Sequence, residues 1–100
     1  MNSLKLEITG KAYSDIETIA DYIAIDDLKA AKNLVKLFNK AFDKLAYYPN
    51  LGKSRKDFTY LDVKFYVIKK RYLIVYRIID EAKLRILRVL TTYQDICRQL

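Results

Sequence analysis

The chain is 100 residues long, with 52% hydrophobic and 31% charged residues. This length and composition predict one compact domain over residues 1–100 and exclude a disordered chain. With no histidine and one cysteine, Cys97, the sequence excludes a disulfide framework and a cysteine-rich zinc site, so no metal or other cofactor is expected. No apolar run approaches the roughly 20 residues of a membrane span, and no secretory signal is visible, so we expect a cytoplasmic protein with no membrane partner.

The net charge of +7 lies entirely in the second half of the chain. Residues 1–50 carry seven Lys, no Arg and seven acidic residues, whereas residues 51–100 carry six Lys, six Arg and five acidic residues. Such asymmetry indicates a basic face for an anionic partner, either nucleic acid or an acidic protein segment, with a merely solubilising surface as the alternative. Arginine within strands favours the first interpretation, because its planar fork suits bidentate contact with phosphate or carboxylate.

The first half predicts a strand followed by two helices. Residues 3–9 alternate apolar and polar side chains and predict a short strand, which Gly10 ends. Apolar residues then recur at helical spacing over residues 11–25, with Asp15 on the polar side, and again in a second helix that Asp26 or Asp27 caps and that runs to Tyr47. The short join predicts an antiparallel helical hairpin whose apolar stripes cover one face of a sheet.

The second half predicts three consecutive strands between residues 61 and 93, separated by charged turns at residues 69–71 and 80–83. The run from Tyr72 to Ile79 is nearly all β-branched or aromatic, which predicts a central strand covered on both faces. The predicted fold class is therefore α+β: a two-layer protein with an N-terminal strand, an antiparallel helical hairpin packed on a mostly antiparallel four-stranded sheet, and a short C-terminal tail, in the order β-α-α-β-β-β.

Several short patterns occur in a fixed order along the chain. They are Ala12, Asp15-Ile16, Ile19 and Tyr22-Ile23; then Leu45, Pro49, Gly52 and Arg55; then Phe65-x-Val67, the run from Tyr72 to Ile78, and the run from Ile86 to Leu90. In this order and spacing the sequence resembles the RelE/ParE superfamily of toxins from bacterial type II toxin–antitoxin modules, over nearly the whole chain.

The resemblance implies one of two activities. The RelE-like branch cuts mRNA in the ribosomal A site, whereas the ParE-like branch is associated with poisoning of DNA gyrase and does no known chemistry. Attack by a 2'-hydroxyl needs a base, an acid and cations. Many members carry a histidine after the last strand and then an Arg-Asp pair, but here Thr91, Gln94 and Asp95 stand at those places. The missing histidine favours the ParE-like branch, and a nuclease would have to use Lys53, Arg77, Arg88 and Tyr93.

The residues that we expect to contact an antitoxin or a target are Arg55, Lys64, Arg77, Arg85, Arg88 and Tyr93. Arg77 and Arg88 interrupt apolar strands, and a guanidinium is costly to desolvate without a partner. Each is therefore either held out for a ligand or paired inside the fold. The internal partner of Arg77 would be Asp62, Asp80 or Glu81, and that of Arg88 would be Asp95 or a chain terminus. Tyr93 is a site candidate, whereas most other tyrosines and Cys97 suit packing.

The leading hypothesis is a ParE-like toxin of a plasmid-stabilisation type, which inhibits DNA gyrase and is neutralised by a cognate antitoxin. The antitoxin would be a small protein whose acidic C-terminal segment folds onto the basic sheet face and the helical hairpin. The alternatives are a ribosome-dependent mRNA interferase and a non-toxic relic that still binds its antitoxin.

Overall fold

The computed structural model describes residues 3–55 and 61–91. Its elements are β1 (Lys5–Ile8), α1 (Gly10–Ala24), α2 (Leu28–Tyr47), β2 (Lys64–Ile68), β3 (Tyr72–Ile78) and β4 (Lys83–Thr91). This order confirms the predicted α+β arrangement. The predicted C-terminal tail, with Tyr93, Asp95 and Cys97, lies outside the described residues. In the described part of the chain, no helix combines the length and apolar character needed to cross a membrane.

The four strands form one mixed sheet in the order β1-β4-β3-β2. The β2–β3 and β3–β4 pairs are antiparallel, as predicted, and β1 runs parallel to β4, with Leu6 opposite Leu84. This parallel pairing places the first strand of the chain beside the last. Near the middle of the β3–β4 pair, Val75 faces Arg88 and Tyr76 faces Ile86, so β4 carries one extra residue, Leu87.

Side-chain hydroxyl and carboxylate groups fix the starts of both helices. Thr9 has an extended backbone, and its Oγ1 accepts the N–H of Ala12 at 3.1 Å while donating to the carbonyl of Leu87 at 2.9 Å. β1 ends at Ile8, before Gly10 as predicted; Thr9 caps α1, and Gly10 is the first residue of that helix. Of the two aspartates proposed for the second cap, Asp27 is the one that accepts the N–H of Ala30.

The core has a part on each face of the sheet. On one face, the apolar sides of α1 and α2, including Phe38, Phe42 and Leu45, pack on Tyr76 and the other helix-facing side chains of the sheet. On the opposite face, a smaller cluster buries Val63, Phe65, Leu73, Val75 and Leu90. Because five consecutive residues of β3, Tyr72 to Tyr76, are buried, the prediction of a central strand covered on both faces is confirmed.

The β2–β3 turn was predicted at residues 69–71 and lies there. Lys69 and Lys70 adopt positive φ angles of 54° and 57°, although neither is glycine. A side chain in this left-handed region costs on the order of 1 kcal/mol. The turn therefore stores strain at a site that carries three consecutive cations.

Candidate functional site

A row of charged side chains crosses the open face of the sheet, defined as the face turned away from α1 and α2. Glu7 of β1 lies beside Arg85 of β4, and Arg85 lies directly opposite Arg77 of β3. Their neighbours along the strands, including Leu84, Ile86 and Ile78, pack on the helix side, so alternation places all three charged residues on the open face. Directly opposed side chains have Cβ atoms about 5 Å apart, and like charges there repel.

Glu7 is shared by two cations of β4. Arg85 Nε donates to Glu7 Oε1 at 2.6 Å, and Lys83 Nζ lies 3.5 Å from Glu7 Oε2. The hydrogen bond from Arg85 is the main cause that lowers the pKa of Glu7 below its ordinary 4.5. The side chains of Arg85 and Glu7 are 37% and 40% exposed, so water screens this pair.

Cations outnumber carboxylates on this face of β1, β3 and β4. Lys5 lies opposite Lys83 in the β1–β4 pair, two residues along from Glu7 and Arg85. We call Lys5, Arg77, Lys83 and Arg85 the basic patch; these four cations are set against the single carboxylate of Glu7, a local excess of three positive charges. Such a surface can bind phosphate or carboxylate groups, and its two arginines can do so bidentately.

Arg77 is the arginine of the patch that is available for a ligand. Its side chain is exposed, and within residues 3–55 and 61–91 it makes no ion pair or hydrogen bond. None of the internal partners considered from the sequence, namely Asp62, Asp80 and Glu81, is paired with it. Asp80 instead accepts the N–H of Ala82 within the β3–β4 turn at 2.7 Å.

Arg88 has a different role from Arg77, because it is paired inside the fold. Its Nε donates to Asp15 Oδ2 at 2.8 Å and its Nη2 to Asp15 Oδ1 at 2.9 Å, while Asp15 Oδ2 also accepts the backbone N–H of Val89 at 2.9 Å. The two side chains are only 19% and 16% exposed, and the hydrogen bonds that Arg88 donates to Asp15 raise the pKa of Arg88. These hydrogen bonds join α1 to the part of β4 that extends beyond its pairing with β1.

The proposed partner of Arg88, Asp95, lies outside the described residues, and the carboxylate that the structure shows is Asp15. The prediction that Asp15 lies on the solvated side of α1 was wrong. Its spacing carried the signal: Asp15 is three residues after Ala12 and four before Ile19, which places it on the helical face that packs inward. Glu7 was also missed, and no local pattern could identify it, because its role depends on the register of β1 against β4.

A family model for the ParE toxin of type II toxin–antitoxin systems, parDE, matches residues 6–96. The chain belongs to this family. The match includes Arg77, Lys83 and Arg85 and begins one residue after Lys5. It confirms the prediction of a RelE/ParE superfamily toxin of a type II toxin–antitoxin system.

Two solved structures resemble this ParE-family chain over most of its length. The first is a chain of the chromosomal ParDE toxin–antitoxin system from P. aeruginosa, with a TM-score of 0.72, 21% identity, and 89% of this chain and 96% of that chain covered. The second is a chain of the RelBE2 toxin–antitoxin complex from Mycobacterium tuberculosis, with a TM-score of 0.60, 22% identity, and coverage of 94% and 97%. At this identity the likeness establishes the fold. A search of curated protein sequences gives no match.

The other candidate residues that the structure of this ParE toxin describes do not join the basic patch. Lys64 lies opposite Tyr76, whose ring packs on the helix side, so register places Lys64 on the other face of the sheet from Arg77. Lys53 and Arg55 are exposed in the loop after Gly52. Tyr93 lies outside the described residues. Of the six predicted contact residues, the structure therefore brings together Arg77 and Arg85, and it adds Lys5 and Lys83, which the sequence did not single out.

A buried tyrosine positions the loop that carries Lys53. The hydroxyl of Tyr76 donates to the carbonyl of Pro49 at 2.6 Å and accepts the N–H of Gly52 at 2.9 Å. Burial raises the pKa of Tyr76 above its ordinary 10.0, so the phenol stays protonated and keeps both bonds. Just beyond Gly52, the backbone of Lys53 exchanges two hydrogen bonds with that of Phe65 at 2.9 and 2.8 Å, which holds the loop against β2.

Within the described residues, no group of three or more acidic or cysteine side chains is placed to hold a metal ion. The chemistry that the patch itself offers is the binding of anions.

Proposed function

We propose that this ParE toxin inhibits DNA gyrase, that a cognate antitoxin neutralises it, and that Arg77 contacts the gyrase–DNA complex. The observation that carries the proposal is the exposed guanidinium of Arg77 beside Arg85, without a partner among the described residues. Directly opposed like charges destabilise a sheet by an amount on the order of 0.2–1 kcal/mol. An anion bound by Arg77 in a complex would offset this repulsion and would explain an arginine at this position.

Gyrase bound to DNA presents phosphate groups, which a surface with two neighbouring arginines can neutralise. A contact of this kind weakens as salt rises, because neutralised phosphates release their counterions on binding. The proposal needs no catalytic group in the toxin. It therefore accommodates Arg88, which is paired with Asp15 in the interior of the fold and is not displayed as a catalytic cation.

A supercoiling assay with purified gyrase tests the proposal directly. We expect the wild-type protein to inhibit supercoiling, and we expect Arg77→Ala to need at least about tenfold more protein for the same inhibition, a loss of about 1.4 kcal/mol of binding free energy. The control is Lys29→Ala, which removes an exposed cation from α2, away from the patch. Circular dichroism and thermal melting establish that both variants are folded.

Three results would oppose the proposal and indicate another function. Full inhibition by Arg77→Ala would remove the patch from the gyrase contact. Growth arrest in cells with unimpaired supercoiling, together with transcript cuts at ribosome-occupied codons, would indicate the mRNA interferase. Unimpaired growth on expression without an antitoxin would indicate a non-toxic relic.

The proposed antitoxin has an acidic C-terminal segment, and the proposed site of action is the cytoplasm.

A further inference from the structure

β1 forms an edge of the sheet that no other strand of the described chain covers. The N–H groups of Lys5 and Thr9 bond carbonyl groups on the β4 side at 2.7 and 3.1 Å, so the odd-numbered residues direct their backbone groups toward β4. The even-numbered residues direct theirs outward, as Leu4 does in bonding the carbonyl of Ala46. Leu6 therefore points both backbone groups outward, and within residues 3–55 and 61–91 they have no bonding partner. Such an edge can accept a further strand.

The charges of β1 make this strand complementary to a second copy of itself. Lys5 and Glu7 lie on the open face, and Leu6 between them packs on the helix side. In an antiparallel pair with Leu6 opposite Leu6, each Lys5 lies opposite Glu7 of the other copy. The two adjacent registers that also match outward backbone groups place Lys5 opposite Lys5, or Glu7 opposite Glu7, and so oppose like charges. Charge therefore selects the register centred on Leu6.

The same register uses the outward backbone groups of β1. Leu6 exchanges two hydrogen bonds with Leu6 of the second copy, and the N–H of each Ile8 donates to the carbonyl of Leu4 on the other copy. The N–H of Leu4 is already bonded within the chain, so it does not need this contact. Lys5 and Glu7 fall in the pairs without backbone bonds, where opposed Cα atoms are only about 4.5 Å apart and side chains contact most closely.

A second copy at this edge also improves the electrostatics of the strand. Lys5 lies opposite Lys83 in the β1–β4 pair, and among the described residues it makes no ion pair. Glu7 of the second copy supplies the missing carboxylate. The basic patches stay well separated, because three strand spacings of about 4.8 Å place the two β4 strands about 14 Å apart. This distance exceeds the Debye length of about 8 Å at physiological salt, so the repulsion between the patches is screened.

We infer that β1 is a homodimer interface, in which two copies pair antiparallel about Leu6 and join their four-stranded sheets into one continuous sheet. Both basic patches then lie on the same open face. The dimer does not depend on the proposed gyrase target, because it uses only the backbone and side chains of β1.

Sedimentation velocity of the intact protein over a range of concentrations measures the dimer. Lys5→Glu should raise the dimer Kd at least about tenfold, because two attractive pairs with Glu7 become repulsive. Glu7→Lys should have the same effect by opposing two lysines. The control is Lys29→Glu, which makes the same charge change at an exposed position of α2 and should leave the Kd unchanged. Circular dichroism establishes that each variant is folded.

An equimolar mixture of Lys5→Glu and Glu7→Lys tests the register. Every facing pair in a mixed dimer joins a glutamate to a lysine, so the mixture should sediment as a dimer at concentrations where each variant alone is monomeric. A mixture that stays monomeric would overturn the register. A wild-type protein that stays monomeric up to about 1 mM, or an equal loss of dimer in Lys29→Glu, would overturn the interface.

Hydrogen exchange at the N–H of Leu6, followed by NMR, tests the backbone pairing. Raising the protein concentration until the dimer forms should slow this exchange at least about tenfold. The N–H of Glu7 is the internal control, because it faces β4 with or without the second copy. A dimer that leaves the exchange of Leu6 unchanged would form elsewhere and would overturn the β1 interface. Protection of Leu6 that appears only after co-expression with an antitoxin would assign this edge to the antitoxin instead.

Discussion

The pairing of Arg88 with Asp15 should be a major source of stability, and Asp15→Ala tests this. The substitution removes three hydrogen bonds at once: two from Arg88 and one from the N–H of Val89, all between 2.8 and 2.9 Å. It leaves a guanidinium of which 19% is exposed without its carboxylate. It also leaves the Val89 N–H, at the edge of β4, without a protein acceptor.

Removing one partner of a buried ion pair costs about 3–5 kcal/mol. Because Asp15 and Arg88 are 16% and 19% exposed, some water reaches the pair, so we discount this value and expect Asp15→Ala to lower the free energy of unfolding by about 2–4 kcal/mol. That is a large part of the roughly 5–15 kcal/mol that stabilises a typical domain. Glu7→Ala provides the comparison: it also removes an arginine's carboxylate, but from a pair about 40% exposed, and should cost much less.

Urea unfolding followed by circular dichroism measures both substitutions, and a double-mutant cycle with Arg88→Ala isolates the pair. The double variant should be more stable than the sum of the single losses implies, with a coupling energy of at least about 1 kcal/mol, because the second substitution removes the stranded charge. A loss below about 1 kcal/mol for Asp15→Ala, or a coupling near zero, would refute the structural role of Arg88. Arg88 would then have to be reconsidered as a contact for the target.

Four further predictions concern Tyr76, Gly52, Glu7 and Arg77. Tyr76→Phe should destabilise the protein by about 1–3 kcal/mol in urea unfolding, because it leaves the buried N–H of Gly52 without its acceptor. Gly52→Ala should also lower the free energy of unfolding, since a Cβ would lie 2.5 Å from the Tyr76 hydroxyl and the Tyr76 ring is fully buried. The lowered pKa of Glu7 implies a contribution to stability that is present above pH 4.5 and lost as the pH falls through the folded-state pKa. The wild type should therefore have a higher free energy of unfolding than Glu7→Gln near neutral pH, and this difference should disappear at acidic pH. Arg77→Thr should raise the urea midpoint, by up to about 1 kcal/mol in free energy, because it removes the like charge opposite Arg85. The proposed gyrase inhibition should weaken at least about tenfold in the same variant; a lower midpoint would contradict the proposed repulsion.

The elements of this fold could be predicted because each is encoded by local periodicity. The apolar stripe of α2 predicted its end at Tyr47, and the β-branched run of β3 predicted a strand buried on both faces. The conformation of the β2–β3 turn was not visible in the same way. Nothing in a Lys-Lys-Arg sequence indicates two lysines with positive φ, because a left-handed conformation normally favours glycine. The closure of the hairpin imposes it.

The site was harder to predict than the fold, because it depends on which strands are neighbours. Arg77, Arg85 and Arg88 look alike in the sequence, as cations that interrupt apolar strands. The parallel register of β1 on β4 brings Glu7 to Arg85, and the path of α1 along β4 brings Asp15 to Arg88. No such contact reaches Arg77 within the described residues.

Arg88 and Arg77 differ in how freely they can be replaced, because Arg88 is paired inside the fold and Arg77 is exposed. Arg88 and Asp15 are tied to the packing of α1, so changing either alters stability before it alters binding. Arg77 is exposed on β3, a strand paired on both sides whose residues from Tyr72 to Tyr76 are buried, so we expect its replacement to leave the core intact. If the patch binds the target as proposed, variation at Arg77, Lys5 and Lys83 would change which anionic surface the protein recognises with little effect on the fold.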